Sequence, residues 1–413
     1  MAKILSQLIL LLLLQLTFVT SGRVFAADTW IALPDLQVAR TNHAVVNLSA
    51  TKAFIAGGRT PGNLITSTTE IYDVVANSYV AGPVMKTPRE SFTITRLVNG
   101  KYLIAGGTNA SGKLASTELY DPSTNTITAT ANMTIPRANH TATLLPDGMV
   151  LFTGGGSATA ELYNPITNSF SSTGALPVDL TGHKAILGNA TAYIIGGKNP
   201  SGSSVNSVYR YERSEGIFFL ISTLNTPRAD FSATVINPAT LLVVGGRNGT
   251  TPLNSSELID LNTGNITTVS GQLATARFNH QTLLMANGEV LISGGSTATA
   301  ALSSCEKYAN GVFSSAPALP SARTGHVAIL LDNRYFVAGG ISGSTILNKT
   351  AIYGPGAMVT SSPFVGRAYH TATLLSNGKV LITGGSNGSY LSSAELYDPA
   401  TNTFTSTGSM TTA

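Results

Sequence analysis

A single unit returns eight times along this chain, and its last copy displays it most plainly. It reads Arg367-Ala368-Tyr369-His370, a β run from Thr371 to Leu375, a second run from Lys379 to Thr383 closed by Gly384-Gly385, then Glu395-Leu396-Tyr397. The glycine doublets begin at Gly57, Gly106, Gly154, Gly196, Gly245, Gly294, Gly339 and Gly384, 42 to 49 residues apart. A period of that length, holding several short strands and no helical pattern, restricts the chain to a stacked array or a wheel of sheets.

Before each doublet stands a nearly continuous apolar run, such as Ala53-Phe54-Ile55-Ala56, Tyr102-Leu103-Ile104-Ala105 or Leu242-Val243-Val244. Such runs read as strands buried on both faces. A shorter run precedes each, joined through Asn99-Gly100, Asp147-Gly148, Asn287-Gly288 or Asn377-Gly378. These pairs predict a tight hairpin of type I′, in which both central residues take positive φ. The third strand carries Glu-x-Tyr, and the fourth a single aromatic residue, as at Tyr79, Phe170, Phe313 and Phe404. The expectation is an all-β chain of four-stranded antiparallel blades.

Only 11% of the 413 residues are charged, while 43% are hydrophobic and 41 are Gly. That balance excludes disorder and suits a turn-rich β protein. Lys3, the apolar stretch through Leu8 to Leu14 and on to Val19, and Val24-Phe25-Ala26 have the order of a secretory signal. Residues 1–26 are therefore expected to be a cleaved leader and 27–413 one propeller domain, placed outside the cytoplasm with no stable membrane insertion. The formal charge is +4, and two of those charges, Lys3 and Arg23, lie in the leader. No basic stripe remains to favour nucleic acid. Cys305 is the one cysteine, so no disulfide forms within the chain, and packing is its expected role.

The doublet after an apolar strand, the Tyr some 12 to 15 residues later, the fourth-strand aromatic and the Arg before the next copy resemble the kelch repeat family over about 28–410. The resemblance implies a single kelch-type β-propeller. Eight blades are expected, with seven blades plus a divergent unit as the alternative. Residues 29–36 look like a fourth strand with nothing before it, expected to pair into the last blade and remove a free edge.

All six histidines, His43, His140, His183, His280, His326 and His370, share one repeat position, which Phe92 and Phe231 fill in the other copies. Three residues earlier stand Arg40, Arg89, Arg137, Arg228, Arg277, Arg323 and Arg367, with Leu180 as the exception. A residue present in nearly every blade is first of all structural, because a ligand is not eightfold symmetric. Glu70, Glu118, Glu161, Glu257, Glu306 and Glu395 recur on the third strand, and pairing with the arginines within each blade is expected. The Arg entrance and the loop after Gly-Gly share one face of the disc. The seven arginines, Tyr369, His370 and Tyr390 are accordingly candidates for a ligand-bearing face.

The kelch resemblance leaves function open, since the family includes binding scaffolds, sugar-processing enzymes and copper oxidases. Tyr369-His370 is similar to the ligand pair of galactose-oxidase-like copper enzymes, but a suitably placed Tyr near Cys305 and a further histidine domain are missing. No catalytic residue, cofactor or metal is assigned. The expectation is an exported, non-catalytic scaffold for a protein or glycan. A sugar mutarotase-like enzyme, or a galactose-oxidase-like one, is the alternative.

Overall fold

The computed structural model describes residues 28–354 and, beyond them, 365, 367, 370–375, 377–398 and 403–412. The expected leader lies outside this range. The chain forms two compact units, Trp30–Tyr353 and a second that holds Gly354 onwards. Each repeat yields one four-stranded antiparallel sheet, so eight such sheets stand along the chain. A 3-10 turn at Pro61–Asn63 is the only helical element among the described residues.

The first sheet shows how the sequence builds a blade. Lys52–Ala56 runs between Ala44–Asn47 and Thr69–Asp73, and Ser78–Ala81 lies outermost. Ala53, Phe54, Ile55 and Ala56 are fully buried, which is why that strand carries no polar alternation. Tyr72 sits opposite Tyr79, their rings 4.7 Å apart, and the same pairing recurs as Tyr163–Phe170, Tyr308–Phe313 and Tyr397–Phe404 at 5.0 Å. Such cross-strand aromatic pairs pin register and seal the outer edge.

The hairpin turns differ from the expected type I′ in the Asn-Gly and Asp-Gly copies. Gly100 takes φ +82, but Asn99 stays out of the left-handed region, and the Gly100 N–H donates to the Leu97 carbonyl at 3.0 Å. This is a type I turn followed by a left-handed glycine, which adds one residue to the loop. Genuine type I′ geometry occurs where no glycine is present, at Asn189-Ala190 and Asp332-Asn333, with positive φ at both residues of each pair.

Seven of the sheets close into a wheel inside Trp30–Tyr353, which is the seven-plus-one form of the expectation. Successive core clusters join neighbouring blades, and the last returns to the start. Leu331, Phe336, Ala338 and Ile352 of the seventh blade pack with Ala53, Ile55 and Tyr72 of the first. The N-terminal strand, Thr29–Ala32, completes the seventh sheet rather than the eighth, pairing along Thr350–Gly354. In sequence the seventh copy continues from Gly354 into Pro355-Gly356, where most fourth strands have an aromatic and the second and fifth have Ile127 and Ile266. Proline has no N–H to give a ladder and glycine weakens a strand. Trp30 supplies the missing ring, 5.3 Å from Tyr353 and 5.8 Å from Tyr335.

The eighth sheet, Thr371–Leu374, Val380–Thr383, Ala394–Asp398 and Thr403–Thr407, has its own small core of Val380, Ile382 and Tyr397.

Candidate functional site

The repeated arginines are scaffold. Arg40, Arg89, Arg137, Arg228, Arg277 and Arg323 have no exposed surface at all. Arg89 shows the pattern. Its Nη1 donates to the carbonyls of Gly106 at 2.7 Å and Ser116 at 3.0 Å, while Nη2 reaches Glu118 at 2.7 Å. The other oxygen of Glu118 accepts the Lys86 N–H at 2.7 Å, so the carboxylate also caps the strand-to-strand connection. Matching ion pairs join Arg40–Glu70, Arg137–Glu161, Arg228–Glu257, Arg277–Glu306 and Arg367–Glu395 at 2.6 to 3.2 Å. The expected pairing is therefore present in six of the eight copies, the fourth having Leu180 in place of Arg. Arg323 faces Ala351 instead and turns to the Ser321 hydroxyl and the Lys349 carbonyl, both at 2.8 Å. Burial lowers the pKa of Arg40, Arg89, Arg137, Arg228 and Arg277, with the paired glutamates raising it again. Arg323, which lacks a glutamate, falls to about 10. As ligand-face groups the six ring arginines are corrected: their donor forks are enclosed and spent on protein.

The histidines pack where the glycine doublets need them. A Cβ built on Gly106, at φ +61, would stand 2.6 Å from the Arg137 carbonyl oxygen and 2.8 Å from the His140 ring. The imidazole fills the hollow left by the absent side chain, and Phe92 does the same at Gly57. Hydroxyls meet the Nε2 atoms of His140, His183, His280 and His326 from Thr93, Thr141, Ser232 and Ser293 at 2.7 to 3.1 Å. Burial pushes His140 and His326 down to about 3 and His183 to about 4, and His43 and His280 well below the usual range, so all five are neutral near pH 7. Among the described residues no group of His, Cys, Asp or Glu is arranged to hold a metal ion.

What reaches solvent lies one step further along each copy. The residue two after the repeated arginine takes a left-handed conformation in all seven blades: Asn42, Ser91, Asn139, Gly182, Asp230, Asn279 and Gly325, with φ from +51 to +62. Their main chains join around the mouth, as where Ser91 N–H donates to the Asn42 carbonyl at 3.0 Å and Asn279 N–H to that of Asp230 at 2.8 Å. The residue before each pairs with the start of a loop that follows Gly-Gly, as in Thr41 with Arg59 and Ala229 with Arg247. Entrance and loops thus share one face, as expected. Small two-stranded hairpins rise there at Arg59–Ile65, Thr108–Lys113, Arg247–Pro252 and Ile341–Ile346.

Charge at this mouth is uneven. On one side Arg59 binds Glu90 through Nε and Nη2 and Asn63 through Nη1, and Asn42 Nδ2 donates to the same Glu90 at 3.1 Å. On the other side Asp230 alone holds both Lys198 Nζ and Arg247 Nε at 2.7 Å. Lys184 stands nearby with no hydrogen bond or ion pair among the described residues. The residue is partly exposed. Burial lowers its pKa and the Asp230 carboxylate raises it again. Sequence reasoning passed over Lys184, Lys198, Asp230 and Arg247 because it weighed what the copies share. The available signal was where the fourth and fifth copies depart.

The remaining candidates belong to the C-terminal unit. Arg367 is buried like its counterparts and bonds the Gly384 carbonyl at 2.8 Å and Glu395 at 2.7 Å. His370 is partly buried, Tyr390 is 83% exposed, and Tyr369 lies outside the described residues.

A family model for the kelch motif matches residues 367–411. Two Danio rerio proteins, Kelch-like protein 41a and Kelch-like protein 41b, align at 34% identity over 91 residues and 30% over 95. Each alignment takes in 22% of this chain but only 15% and 16% of those relatives' own lengths. Among solved structures, a copper-bound fungal alcohol oxidase of the AA5 family superposes with a TM-score of 0.65, covering 94% of this chain and 99% of that one. Sequence identity there is 13%, which shows a common fold alone. The chain is a β-propeller of four-stranded antiparallel blades that carries a kelch motif at residues 367–411, and the glycine doublet, the buried Arg and the third-strand Tyr of that stretch repeat along its length.

Proposed function

We propose that this protein is an exported binding scaffold which takes a protein or a glycan on the loop-bearing face of its wheel, without catalysing a reaction. The observation that carries the reading is how the repeated titratable groups are spent. A catalytic funnel built from the repeat would need the repeated acids, bases or cations unpaired at its centre. Here the ring arginines and glutamates pair with each other inside the blades, and the imidazoles are held neutral by burial. The surface left at the mouth combines small polar side chains and hairpins with the Arg59–Glu90 pair, the Lys198–Asp230–Arg247 cluster and Lys184, a surface suited to hydrogen-bonding a ligand. The copper oxidase likeness supports the fold and carries no activity across at that identity.

The test is a glycan array probed with the full chain, run beside two turnover assays, polarimetry of reducing sugars and peroxide release with added copper. Saturable binding that falls when the hairpin tips at Asn109 and Asn248 are changed to bulkier residues is the expected result. Turnover in either assay would overturn the non-catalytic reading.

A further inference from the structure

We propose that the mouth between the fourth and fifth blades is an anion site for the carboxylate of an acidic sugar, with Lys184, Lys198 and Arg247 as its cations and Asp230 as the group that positions them. The proposal deepens the binding reading above and rests on it.

Departure from the repeat is the first ground. Seven copies of one blade need the same structural residues, so a position that breaks the pattern needs another cause. The seventh copy also departs, with Gly325, Val327 and Ala351, but its changes bring in no charge, whereas those of the fourth do. The fourth copy has Leu180 where the others have Arg, Gly182 where Asn or Ser is usual, and Lys184 where Thr93, Thr141 and Ser232 occupy other inner strands. These changes fit one another physically. A Cβ on Gly182 would strike Asp230 Oδ1, so the glycine makes room for a carboxylate that the neighbouring blade brings in. Asp230 in turn draws Lys198 from the fourth blade and Arg247 from the fifth to one oxygen, each at 2.7 Å.

Charge and unused donors are the second ground. Three cations share one carboxylate, so the site keeps an excess of positive charge. Arg247 donates to Asp230 through Nε alone, and its Cζ lies 4.7 Å from the centre of the Phe278 ring, which holds the guanidinium plane in place. Its two terminal nitrogens have no protein acceptor among the described residues. That is the fork which binds a carboxylate in bidentate fashion. Arg59 makes the contrast, with its donors consumed by Glu90 and Asn63. Lys184 adds an unpaired ammonium whose charge acts on His183, Asp230 and His280, groups of the fourth, fifth and sixth blades. Its place in the fold agrees: Lys184 opens the first strand of the fourth sheet, Lys184–Gly188, two residues after Gly182, and is partly exposed.

The surroundings narrow the anion. Asn139 and Asn279 are exposed on the same ring of left-handed residues, and amides of this kind exchange hydrogen bonds with hydroxyl groups. A carboxylate flanked by hydroxyls is the chemistry of a uronic-acid type sugar, free or at the end of a saccharide chain.

The experiment is isothermal titration calorimetry of the full chain at low salt, with D-glucuronate, D-glucose and an oligogalacturonide as titrants. Glucuronate is expected to bind at least about tenfold more tightly than glucose, since loss of one charged hydrogen bond costs about that factor. Lys184→Met and Arg247→Gln should each weaken glucuronate about tenfold or more, while Lys52→Gln, a rim cation half exposed beside Asp73, leaves it unchanged. Tighter oligogalacturonide binding assigns a chain end, and equal binding assigns the free acid. Lys184→Met removes a charge that burial disfavours, so it should fold and can decide alone. Absence of glucuronate binding, or equal affinity in Lys184→Met, overturns the acidic-sugar site. Array binding that survives Lys184→Met would leave the scaffold reading standing while this site falls.

Discussion

The Arg40 carbonyl oxygen accepts the backbone N–H of Gly340 at 2.9 Å, tying the first blade to the seventh. The same bond links each doublet to the following blade, from Gly58 with Arg89 at 2.9 Å to Gly295 with Arg323 at 2.9 Å. One structural arginine thus works in two directions. Its side chain clamps its own blade, and its carbonyl holds the previous one. Closure of the wheel is the repetition of that local bond once more, between residues far apart in sequence.

The closing contact can be tested at the doublets. Gly339 takes φ +60, and a Cβ there would strike the Arg40 carbonyl and the His43 ring. Gly384 has similar φ, +66, but among the described residues a Cβ there would meet only Met410 Cε at 3.1 Å and the Leu391 carbonyl at 3.6 Å. Gly339→Ala should therefore cost about 3 kcal/mol, combining a left-handed alanine with overpacking, and Gly384→Ala about 1 kcal/mol. Urea unfolding of the two variants checks the order. Equal costs would mean that the seventh blade does not meet the first in this way.

Acid should destabilise the wheel earlier than carboxylates alone would. An unfolded histidine titrates near 6.5, whereas burial holds His140 and His326 at about 3 and His183 at about 4. With folded pKa values below the unfolded one, the unfolded chain binds the extra protons. The stability is present above about pH 6.5 and is lost as pH falls through the window toward the folded values, by about 1.4 kcal/mol per pH unit for each such histidine. Melting temperatures from pH 8 to 4 should fall accordingly. His140→Phe, which copies the residue found at Phe92, should flatten the curve by the share of one histidine. An unchanged slope would show that His140 is protonated in the folded wheel.

The fold was legible because each repeat states its own secondary structure. The buried second strand, the turn glycine and the fourth-strand aromatic are local signals, and eight copies average away local noise. Ring size was not local. It depends on which sheet Thr29–Ala32 joins, and only the poor strand chemistry of Pro355-Gly356 hinted at a vacancy in the seventh. The site was harder still. Repetition drew the eye to Arg89 and His140, which are inside, while Lys184, Lys198, Asp230 and Arg247 meet across blades and depart from the pattern. The Gly182 hollow that admits Asp230 has no signature in a linear reading.

Breaking one internal ion pair should be costly even though the surface does not change. Arg89 and Glu118 are both buried, and Glu118 also accepts the Lys86 and Thr87 N–H groups. Glu118→Ala leaves a buried guanidinium without its counter-charge and two amides without acceptors, which predicts a loss of about 3 to 5 kcal/mol. Chemical denaturation followed by circular dichroism measures it. A loss under about 1 kcal/mol would mean that water replaces the carboxylate, as at an exposed pair.

Trp30 offers a direct reading of ring closure, since it is the chain's one tryptophan. Its indole N–H donates to the Pro317 carbonyl at 2.9 Å, and its ring packs against Tyr335 and Tyr353. The side chain is only partly buried, so Trp30→Ala should cost about 2 kcal/mol, less than a full core aromatic. In the wild-type chain its fluorescence should change together with the loss of β circular dichroism from the seven blades, because a wheel that loses its N-terminal strand exposes the edge of the seventh sheet. Fluorescence that shifts at lower denaturant than the dichroism would instead show the strand leaving first, with the other six sheets still folded.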